Sequence, residues 1–594
     1  MNRFAMLRPG LLDALIGYDR RSALADVTAG TITAILLVPQ GMAYALLAGL
    51  PAQYGLYAAI VPPAIYAVFG TSRTLAVGPV AVAALMVADA LAGHGGGEAA
   101  WIEGAIVLAA EVGLLLLIAG LLGLGRLVTF VSHPVLSGFT SAAALLILLT
   151  QFGDLLGIEL PRGTAPSILD ALFARIGRID VATAVTAVIA VTALLLARQP
   201  LRRALEALGV PPSTASVLTR VAPLAVVIIA TAGVALVTTG TPPVATVGAI
   251  PGGLPTPSLG FLASDRWLEL LPSATLIALI GYVESVTVAQ VLAARTRERI
   301  DPKRELIALG MANLGSAVAG TMPAAGGFSR SVVNHEAGAR TQVAALVTAG
   351  LVAIVALWFT EWFATLPRAV LAAIIVVAVM QLIDLREAVA IMRFDRGDGT
   401  TLAITFAGVL LFGIEPGLVA GIVTSLLLYV WRTSRPHMAI VGRVPGTEHY
   451  RNVLRHPVER HPGIVILRVD ENIYFANTEA IRRFVFDALD QADAPHALIL
   501  AMTSVSYVDS SGVALLERMD EDLAARGVVL HLAEVKGPVA DRLTRVDGLA
   551  PMFAERVHLS LDRAVRCLSP AGGSASALGR DSSGDAGGLA DPTT

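Results

Sequence analysis

Cysteine is almost absent: Cys567 is the only one in 594 residues, so an internal disulfide is excluded. Charge is sparse too, with Asp, Glu, Lys and Arg at 15% of the chain, against about 25% in an ordinary soluble protein. His, Cys and carboxylates do not gather at metal-ligand spacing, and neither a nucleophile–base pair nor a nucleotide-binding loop is visible. These absences argue against an enzyme and an ATP-driven pump, and predict no cofactor, no metal and no nucleic-acid partner. The N-terminal region holds Arg3, Arg8, Asp13, Asp19, Arg20, Arg21 and Asp26, which leaves no unbroken apolar core for a cleavable signal peptide. Apolar residues are what the sequence has in excess, at 55% with a mean hydropathy of +0.71. The excess lies almost entirely before Arg435, which predicts a large polytopic membrane domain and a separate tail.

Apolar segments fall at 24–48, 53–70, 75–92, 102–122, 134–152, 180–198 and 218–238. A second set falls at 268–292, 303–320, 327–340, 341–360, 366–383, 399–413 and 416–432, giving fourteen. Several are shorter than the ~20 residues of a straight span, 75–92 and 327–340 among them. Basic residues collect on one side, at Arg73, Arg126, Arg198, Arg202, Arg203, Arg295 to Arg304, Arg340, Arg386, Arg393 and Arg432. The opposite loops near His94 and Glu415 have no Lys or Arg; the loop 153–179 is the exception, with Arg162, Arg175 and Arg178 balanced by Asp154, Glu159 and Asp170. This bias predicts cytoplasmic N- and C-termini, with 1–22 a cytoplasmic lead-in and 23–435 the membrane domain.

The stretch from Ala278 to Ser331 organises the rest. It holds an apolar helix with Glu284 near its middle, then a second apolar run, then Gly326-Gly-Phe-Ser-Arg-Ser331. Ionisable groups at membrane depth mark pathways and binding sites. The two short segments are third and tenth in order, and each is interrupted, by Gly78-Pro79 and by Pro323 with Gly326-Gly327. Paired short, Gly/Pro-broken spans point to an inverted-repeat transporter. Helices that begin inside the membrane leave free N–H groups and positive dipole ends, and two facing ends make an anion site. Pro79 suits the first turn of such a helix.

Past Pro436 the pattern changes. Residues 464–470, 497–502 and 528–533 read as strands, alternating with helical patterns at 477–491, 511–526 and 537–546. That describes a small α/β domain over 436–568. Residues 569–594 are Gly, Ser, Ala and Asp without apolar period, the composition of a disordered tail.

Val38 to Val82, VPQGMAYALLAGLPAQYGLYAAIVPPAIYAVFGTSRTLAVGPVAV, resembles the opening signature of the SulP, or solute carrier family 26, anion transporters. Tyr507-Val-Asp-Ser-Ser-Gly512 and Leu532-Ala-Glu-Val-Lys-Gly-Pro538 resemble the STAS domain that follows the transporter in that family. The resemblance implies a polytopic α-helical membrane protein of about fourteen segments, a 7+7 inverted repeat, followed by a cytoplasmic α/β STAS domain. Spans 1–4 and 8–11 would form a core domain and spans 5–7 and 12–14 a gate domain. It further implies a multi-pass protein of the inner membrane, among lipid, and a homodimer. The core would carry sulfate, bicarbonate, chloride, oxalate or a dicarboxylate past the gate like an elevator.

Gln40 and Tyr44 lie one helical turn apart and can face one cavity, as an amide donor and a hydroxyl for a desolvated oxyanion; otherwise they serve as packing between helices. Val77, Gly78, Pro79 and Val80 fall at the start of the third span, where Gly78 admits close backbone approach or simply makes a kink. Gly327, Phe328, Ser329 and Arg330 fall at the start of the tenth. Ser329 and backbone N–H groups can bind oxygens, while Arg330 sets a positive potential without full coordination, or pairs with Glu284 or a carbonyl. Burial favours the neutral form of Glu284 and Arg330 favours its carboxylate, so Glu284 is the candidate carrier of a coupling proton. Sodium is the alternative, weakened because Val288, not a hydroxyl, lies one turn on. A structural ion pair is the third reading. Glu103, Glu111 and Asp89 are expected to face water or other helices, and Tyr429 and Trp431 to anchor at the interface. In the tail, Asp509 or Ser510 suits an N-cap, and Ser511 aligns with a serine phosphorylated in related anti-sigma-factor antagonists, the alternative being a docking surface for a regulatory partner.

The reading is therefore secondary active transport of a small anion, sulfate first, coupled to protons. A sodium-dependent bicarbonate symporter or a proton-coupled dicarboxylate transporter of the same family is the alternative. A nucleobase transporter would lack the STAS tail, and a sensor with vestigial transport would not need two broken helices.

Overall fold

The computed structural model describes residues 18–92, 97–125, 131–237, 244–546 and 555–569, with Leu11 and Leu549. Most of the lead-in 1–22, the tail beyond Ser569, His94 and Arg126 lie outside the described residues. The chain divides into two compact units, Met1–Ser425 and Leu426–Thr594.

The first unit is helical. Its first half runs α1 (Arg20–Ala48), α2 (Ala52–Ala58), α3 (Val61–Phe69), strand β1 (Val77–Gly78), α4 (Ala81–Ala92), α5 (Gly97–Leu121), α6 (His133–Leu156), α7 (Ala165–Ala174), α8 (Val181–Leu196), α9 (Gln199–Ala207) and α10 (Pro212–Val237). The second half runs α11 (Trp267–Thr296), α12 (Pro302–Val318), strand β2 (Ala325–Gly326), α13 (Phe328–Glu336), α14 (Val343–Trp358), α15 (Arg368–Val379), α16 (Leu385–Phe394), α17 (Arg396–Phe412) and α18 (Ile414–Thr433). Every one of the fourteen expected segments contains a helix or a helix pair. Among the described residues seven helical stretches are long and apolar enough to cross a bilayer alone, and α8 with α9 forms an eighth bent by 52°. The others are short or broken, which is why hydropathy alone blurs their ends.

Local chemistry sets the boundaries. Asp19 caps α1 by accepting the Ser22 N–H at 2.8 Å, and Gly49 ends it at φ 84° in the left-handed region. Span 2 is two helices with its second starting beside Pro62 and Pro63, as proline favours a first turn. It packs on α1 at backbone distance: a Cβ added to Gly55 would fall 1.9 Å from the Gly41 carbonyl oxygen. The glycines of the opening signature are thus a packing requirement.

Both halves repeat one order of long helix, second span, two-residue strand, half-length helix and further span. β1 and β2 pair antiparallel, Val77 with Gly326 and Gly78 with Ala325. Antiparallel pairing is what inverted halves require, because the two chains then approach the midplane from opposite sides. α1 to α5 pack with α11 to α14 as one bundle, whereas α6 and α8 pack with α15 and α17 as another. The structure differs from expectation at both short segments. α4 begins at Ala81, so Pro79 precedes the helix instead of occupying its first turn, because Val77 and Gly78 make ribbon hydrogen bonds. α13 ends at Glu336, and the following turn is tied down by Asp26, which accepts Arg340 N–H at 2.7 Å and the Thr341 hydroxyl at 2.6 Å.

The second unit is an α/β sandwich around a sheet of order β4-β3-β5-β6-β7-β8. Its strands are β3 (Met438–Arg443), β4 (Tyr450–Asn452), β5 (Ile464–Val469), β6 (Ala497–Ala501), β7 (Val529–Ala533) and β8 (Val557–His558). β5 to β8 run parallel, in register Ile464 with Ala497 and Ala497 with Val529, and β3 is antiparallel to both its neighbours. β6 is buried throughout, as a central parallel strand covered on both faces must be. The helices are α19 (Thr478–Asp490), α20 (Ser510–Ala525), α21 (Gly537–Leu543) and α22 (Leu561–Leu568). Ile481, Val485, Leu516 and Leu523 build the core on one face, and Leu561, Ala564 and Val565 close the other.

Candidate functional site

The β1–β2 ribbon sits between the two half-length helices, so both start next to each other inside the bundle. Their first N–H groups have no partner within the helix, since intrahelical bonding begins with Ala84 to Val80 and Ser331 to Gly327. Gly327 is the N-cap of α13 and has no side chain to cap it. Gly78, at φ 154°, makes the turn that turns the chain from ribbon to helix.

A cavity of about 50 Å³ lies here, lined by Gln40, Tyr44, Val80, Ala81, Val82, Glu284, Gly327, Phe328, Ser329, Arg330, Ala378, Val379 and Leu382. At roughly 10–15 Å³ per water, this admits a few waters or one small anion. The structure therefore brings together Gln40, Tyr44, Glu284, Gly327, Phe328, Ser329 and Arg330. Val77, Gly78 and Pro79 do not line the cavity; they are buried behind it, and Val80 to Val82 take their place. The residues expected there are engaged with the ribbon and with Arg330.

Arg330 is 3% exposed. Its Nη1 donates to the Pro79 carbonyl at 2.6 Å, while a Cβ on Gly78 would lie 3.5 Å, and one on Gly327 2.9 Å, from its Nη2. The guanidinium thus lies across the starts of both half helices, and Gly327 is required for it to do so. Nε and Nη2 are buried and bonded to nothing among the described residues. Glu284 is half-buried and forms neither a hydrogen bond nor an ion pair with Arg330. The carbonyl, not the carboxylate, is the fixed partner. Gln40 also leaves its Oε1 buried and unbonded.

Several residues that hold this geometry carry no sequence signal beyond being small and polar. Ser331 accepts the Ala76 N–H at 2.9 Å and donates to Gly327 O at 2.7 Å. Asn313 binds Ala324 twice, its Oδ1 accepting the Ala324 N–H at 2.8 Å and its Nδ2 donating to the Ala324 carbonyl at 2.9 Å. Asn334 donates to Thr74 O at 3.0 Å, and Ser285 accepts the Gly326 N–H at 2.7 Å. Serine and asparagine at membrane depth were the available hint, since in lipid every such group must find a partner.

The cavity shares Gln40, Ser329 and Ala378 with a vestibule of about 470 Å³ that also touches Arg198, Arg202, Gln199 and Gln381. A separate cavity of about 490 Å³ is lined by Asp89, Gln151, Asp154, Arg162 and Arg368, with the Arg162 guanidinium 5.1 Å from the Trp101 ring centre. Glu103 is exposed. Glu111 is 2% exposed with both oxygens unbonded among the described residues.

In the second unit Asp509 caps α20, accepting Gly512 N–H at 2.8 Å and also Phe475 N–H at 2.9 Å. Ser511, half-buried, sits in the first turn of that helix. Tyr429 and Trp431 are exposed. His531 and His558 meet through ring nitrogens 3.2 Å apart, and burial first, then His558 and Arg556, hold the His531 imidazole down at about 4.

Broken helices meeting at mid-bundle around a small polar cavity belong to secondary transporters, not to enzymes. Residues 24–405 match the Sulfate permease family and residues 456–564 the STAS domain, and the chain belongs to this family of multi-pass membrane proteins. It is 38% identical to the protein named Sulfate transporter 4.1, chloroplastic, of Arabidopsis thaliana, covering 90% of this chain and 79% of that one. It is 33% identical to the probable sulfate transporter Rv1739c of Mycobacterium tuberculosis, covering 93% and 96%. The fold matches the murine Solute Carrier 26 family member A9 anion transporter, solved in the inward-facing state, with TM-score 0.86 at 24% identity over 95% of this chain and 94% of that chain. The transmembrane domain of the cyanobacterial bicarbonate transporter BicA matches with TM-score 0.56 at 23% identity, over 69% and 98%.

Proposed function

We propose that this protein imports sulfate across the cytoplasmic membrane, coupled to protons, by an elevator movement of the α1–α5 and α11–α14 bundle against the other. The observation that carries the reading is the unpartnered Nε–Nη2 edge of Arg330. Two parallel N–H donors from one guanidinium match two oxygens of an oxyanion, and charge-assisted bonds of this kind are the strong ones. The free N–H groups of α4 and α13 add positive dipole ends, and the Ser329 hydroxyl, Gln40 amide and Tyr44 hydroxyl supply further contacts. This goes beyond a merely electrostatic role for Arg330. The names of the relatives at 30–38% identity favour sulfate among the oxyanions.

Glu284 is the carrier of the coupling proton in this reading. It lines the same cavity as Arg330 and accepts no hydrogen bond among the described residues. Sodium gains no support from the surroundings: Ser285 already has its hydroxyl engaged by Gly281 O and Gly326 N, and Val288 offers no oxygen. The vestibule with Arg198 and Arg202 lies on the side that the basic loops assign to the cytoplasm, where both termini would lie. Homodimerisation and a regulatory partner at the STAS domain, through Ser511 or its loop, belong to the same proposal, as does a domain boundary near residue 436.

The test is uptake of labelled sulfate, bicarbonate and fumarate into proteoliposomes under an inward proton gradient, then a sodium gradient. Proton-stimulated sulfate uptake is expected. Sodium-driven bicarbonate uptake would replace this reading with the symporter, and proton-driven fumarate uptake with the dicarboxylate carrier.

A further inference from the structure

Ser285 follows Glu284 in α11 and is 0% exposed. Both roles of its hydroxyl are in use: it donates to Gly281 O at 2.5 Å and accepts the Gly326 N–H at 2.7 Å. Gly326 is a ribbon residue, paired with Val77, and the next residue, Gly327, is the N-cap of α13. The same face of α11 seats on the ribbon one turn earlier, where a Cβ on Gly281 would lie 3.4 Å from the Ala325 Cβ. Among the described residues no other side chain of α11 bonds to the ribbon. The chain of contacts is therefore short: carboxylate, adjacent serine, ribbon, and the starts of both half helices with Arg330 across them.

We propose that Ser285 is the positioning residue through which the protonation state of Glu284 reaches the anion cradle. This rests on Glu284 carrying the coupling proton. A charge change at Glu284 alters its attraction to the buried guanidinium of Arg330, so α11 experiences a force at that turn. Helices transmit small displacements as rigid bodies, because packed interiors deform little. The Ser285 hydroxyl passes the displacement to the Gly326 N–H, and the ribbon passes it to Ala76 through the Gly327 N–H at 3.1 Å. Among the described residues, the charged group facing Glu284 across the cavity is the Arg330 guanidinium; Tyr44 presents a neutral hydroxyl, and the lining residues of α4, α13 and α15 include no carboxylate.

Ser331 provides the control. It bonds the same ribbon from α13, through Ala76 N–H, but it is not on the helix of Glu284. Substituting it should disturb the cradle without uncoupling it.

The experiment measures sulfate KM, kcat and the ratio of uptake with and without an inward proton gradient, over pH 5 to 8, for the full-length protein in proteoliposomes. Ser285→Ala is expected to lower the proton-stimulation ratio at least about fivefold and to flatten the pH profile, while Ser285→Thr, which keeps the oxygen, restores both. Ser331→Ala is expected to raise KM with the stimulation ratio kept. A Ser285→Ala protein that retains the wild-type ratio overturns the inference, as does equal uncoupling by Ser331→Ala. If Ser285→Ala does not fold, Ser285→Thr and Ser285→Cys decide it: the ratio must fall from Ser to Cys, the weaker acceptor, and hold in Thr. A wild type without proton stimulation, in the same vesicles, overturns the coupling role of Glu284 and this inference with it.

Discussion

Glu305 and Glu284 are both carboxylates inside the helical unit, and their surroundings are opposite. Glu305, on α12 and 0% exposed, accepts the Tyr66 hydroxyl at 2.7 Å, the Thr71 N–H at 2.7 Å and the Ser72 N–H at 3.3 Å, together with the Thr71 hydroxyl. Four donors fasten the side chain and pin the loop that leads into β1. Glu284 lies half-buried at a cavity and accepts no hydrogen bond from the described residues. A saturated carboxylate is a fastener. An unsaturated one beside a cation can change its protonation state without dismantling the fold.

The contrast can be broken most forcefully at Glu305. Glu305→Ala orphans four donors, two of them on part-buried Thr71, and each buried donor left unsatisfied costs about 1–3 kcal/mol, so the detergent-solubilised protein should melt many degrees lower or fail to purify. Glu284→Gln should melt within a few degrees of wild type; a large loss there would make Glu284 a fastener as well. Next comes Arg330. Arg330→Ala should remove sulfate uptake, and Arg330→Lys, which keeps charge but loses the planar fork, should raise KM by about tenfold or more, at about 1.5–3 kcal/mol per charge-assisted bond. Unchanged KM in Arg330→Lys would reduce the arginine to a point charge. Smaller effects belong to the neutral contacts: Gln40→Ala or Tyr44→Phe should each raise sulfate KM by about fivefold, at about 1 kcal/mol per neutral hydrogen bond.

The smallest effect lies in the second unit and turns on a group saturated with the wrong partners. His531 is held neutral in the fold, near 4, against roughly 6.5 when unfolded. The unfolded chain therefore binds more protons between those values, so stability rises with pH across that window. The contribution is complete above about 6.5 and fades as pH falls toward 4. Hydrogen exchange of the β7 amides in the full-length protein should accelerate from pH 7 to pH 5 beyond the intrinsic chemistry, and His531→Phe should flatten the trend.

Much of the architecture was legible because long apolar runs and Gly/Pro interruptions are strong signals. Glu284, Arg330, Gln40 and Tyr44 stood out as polar groups in apolar sequence, and the cavity gathers all four. The placement of Val77 to Pro79 was not legible, because a two-residue ribbon between half helices leaves no periodicity and moves the helix start to Ala81. β3 and β4 escaped notice because β3 lacks clean alternation and β4 is only three residues long, and β8 because two residues carry no alternation. α22 lies at the edge of the polar tail, where its short amphipathic turn is easily submerged. Ser285, Ser331, Asn313 and Asn334 were beyond sequence reasoning for a plainer reason. Each bonds a backbone group between 11 and 260 residues away, and only the fold decides which.

In the proposed mechanism Glu284 works by changing its protonation state, and the direct measurement is proton-driven sulfate uptake by wild type and Glu284→Gln in matched proteoliposomes. Strong stimulation by an inward proton gradient is expected in wild type and none in Glu284→Gln, with sulfate exchange at equal pH on both sides preserved in the mutant. Undiminished proton stimulation in Glu284→Gln would contradict it.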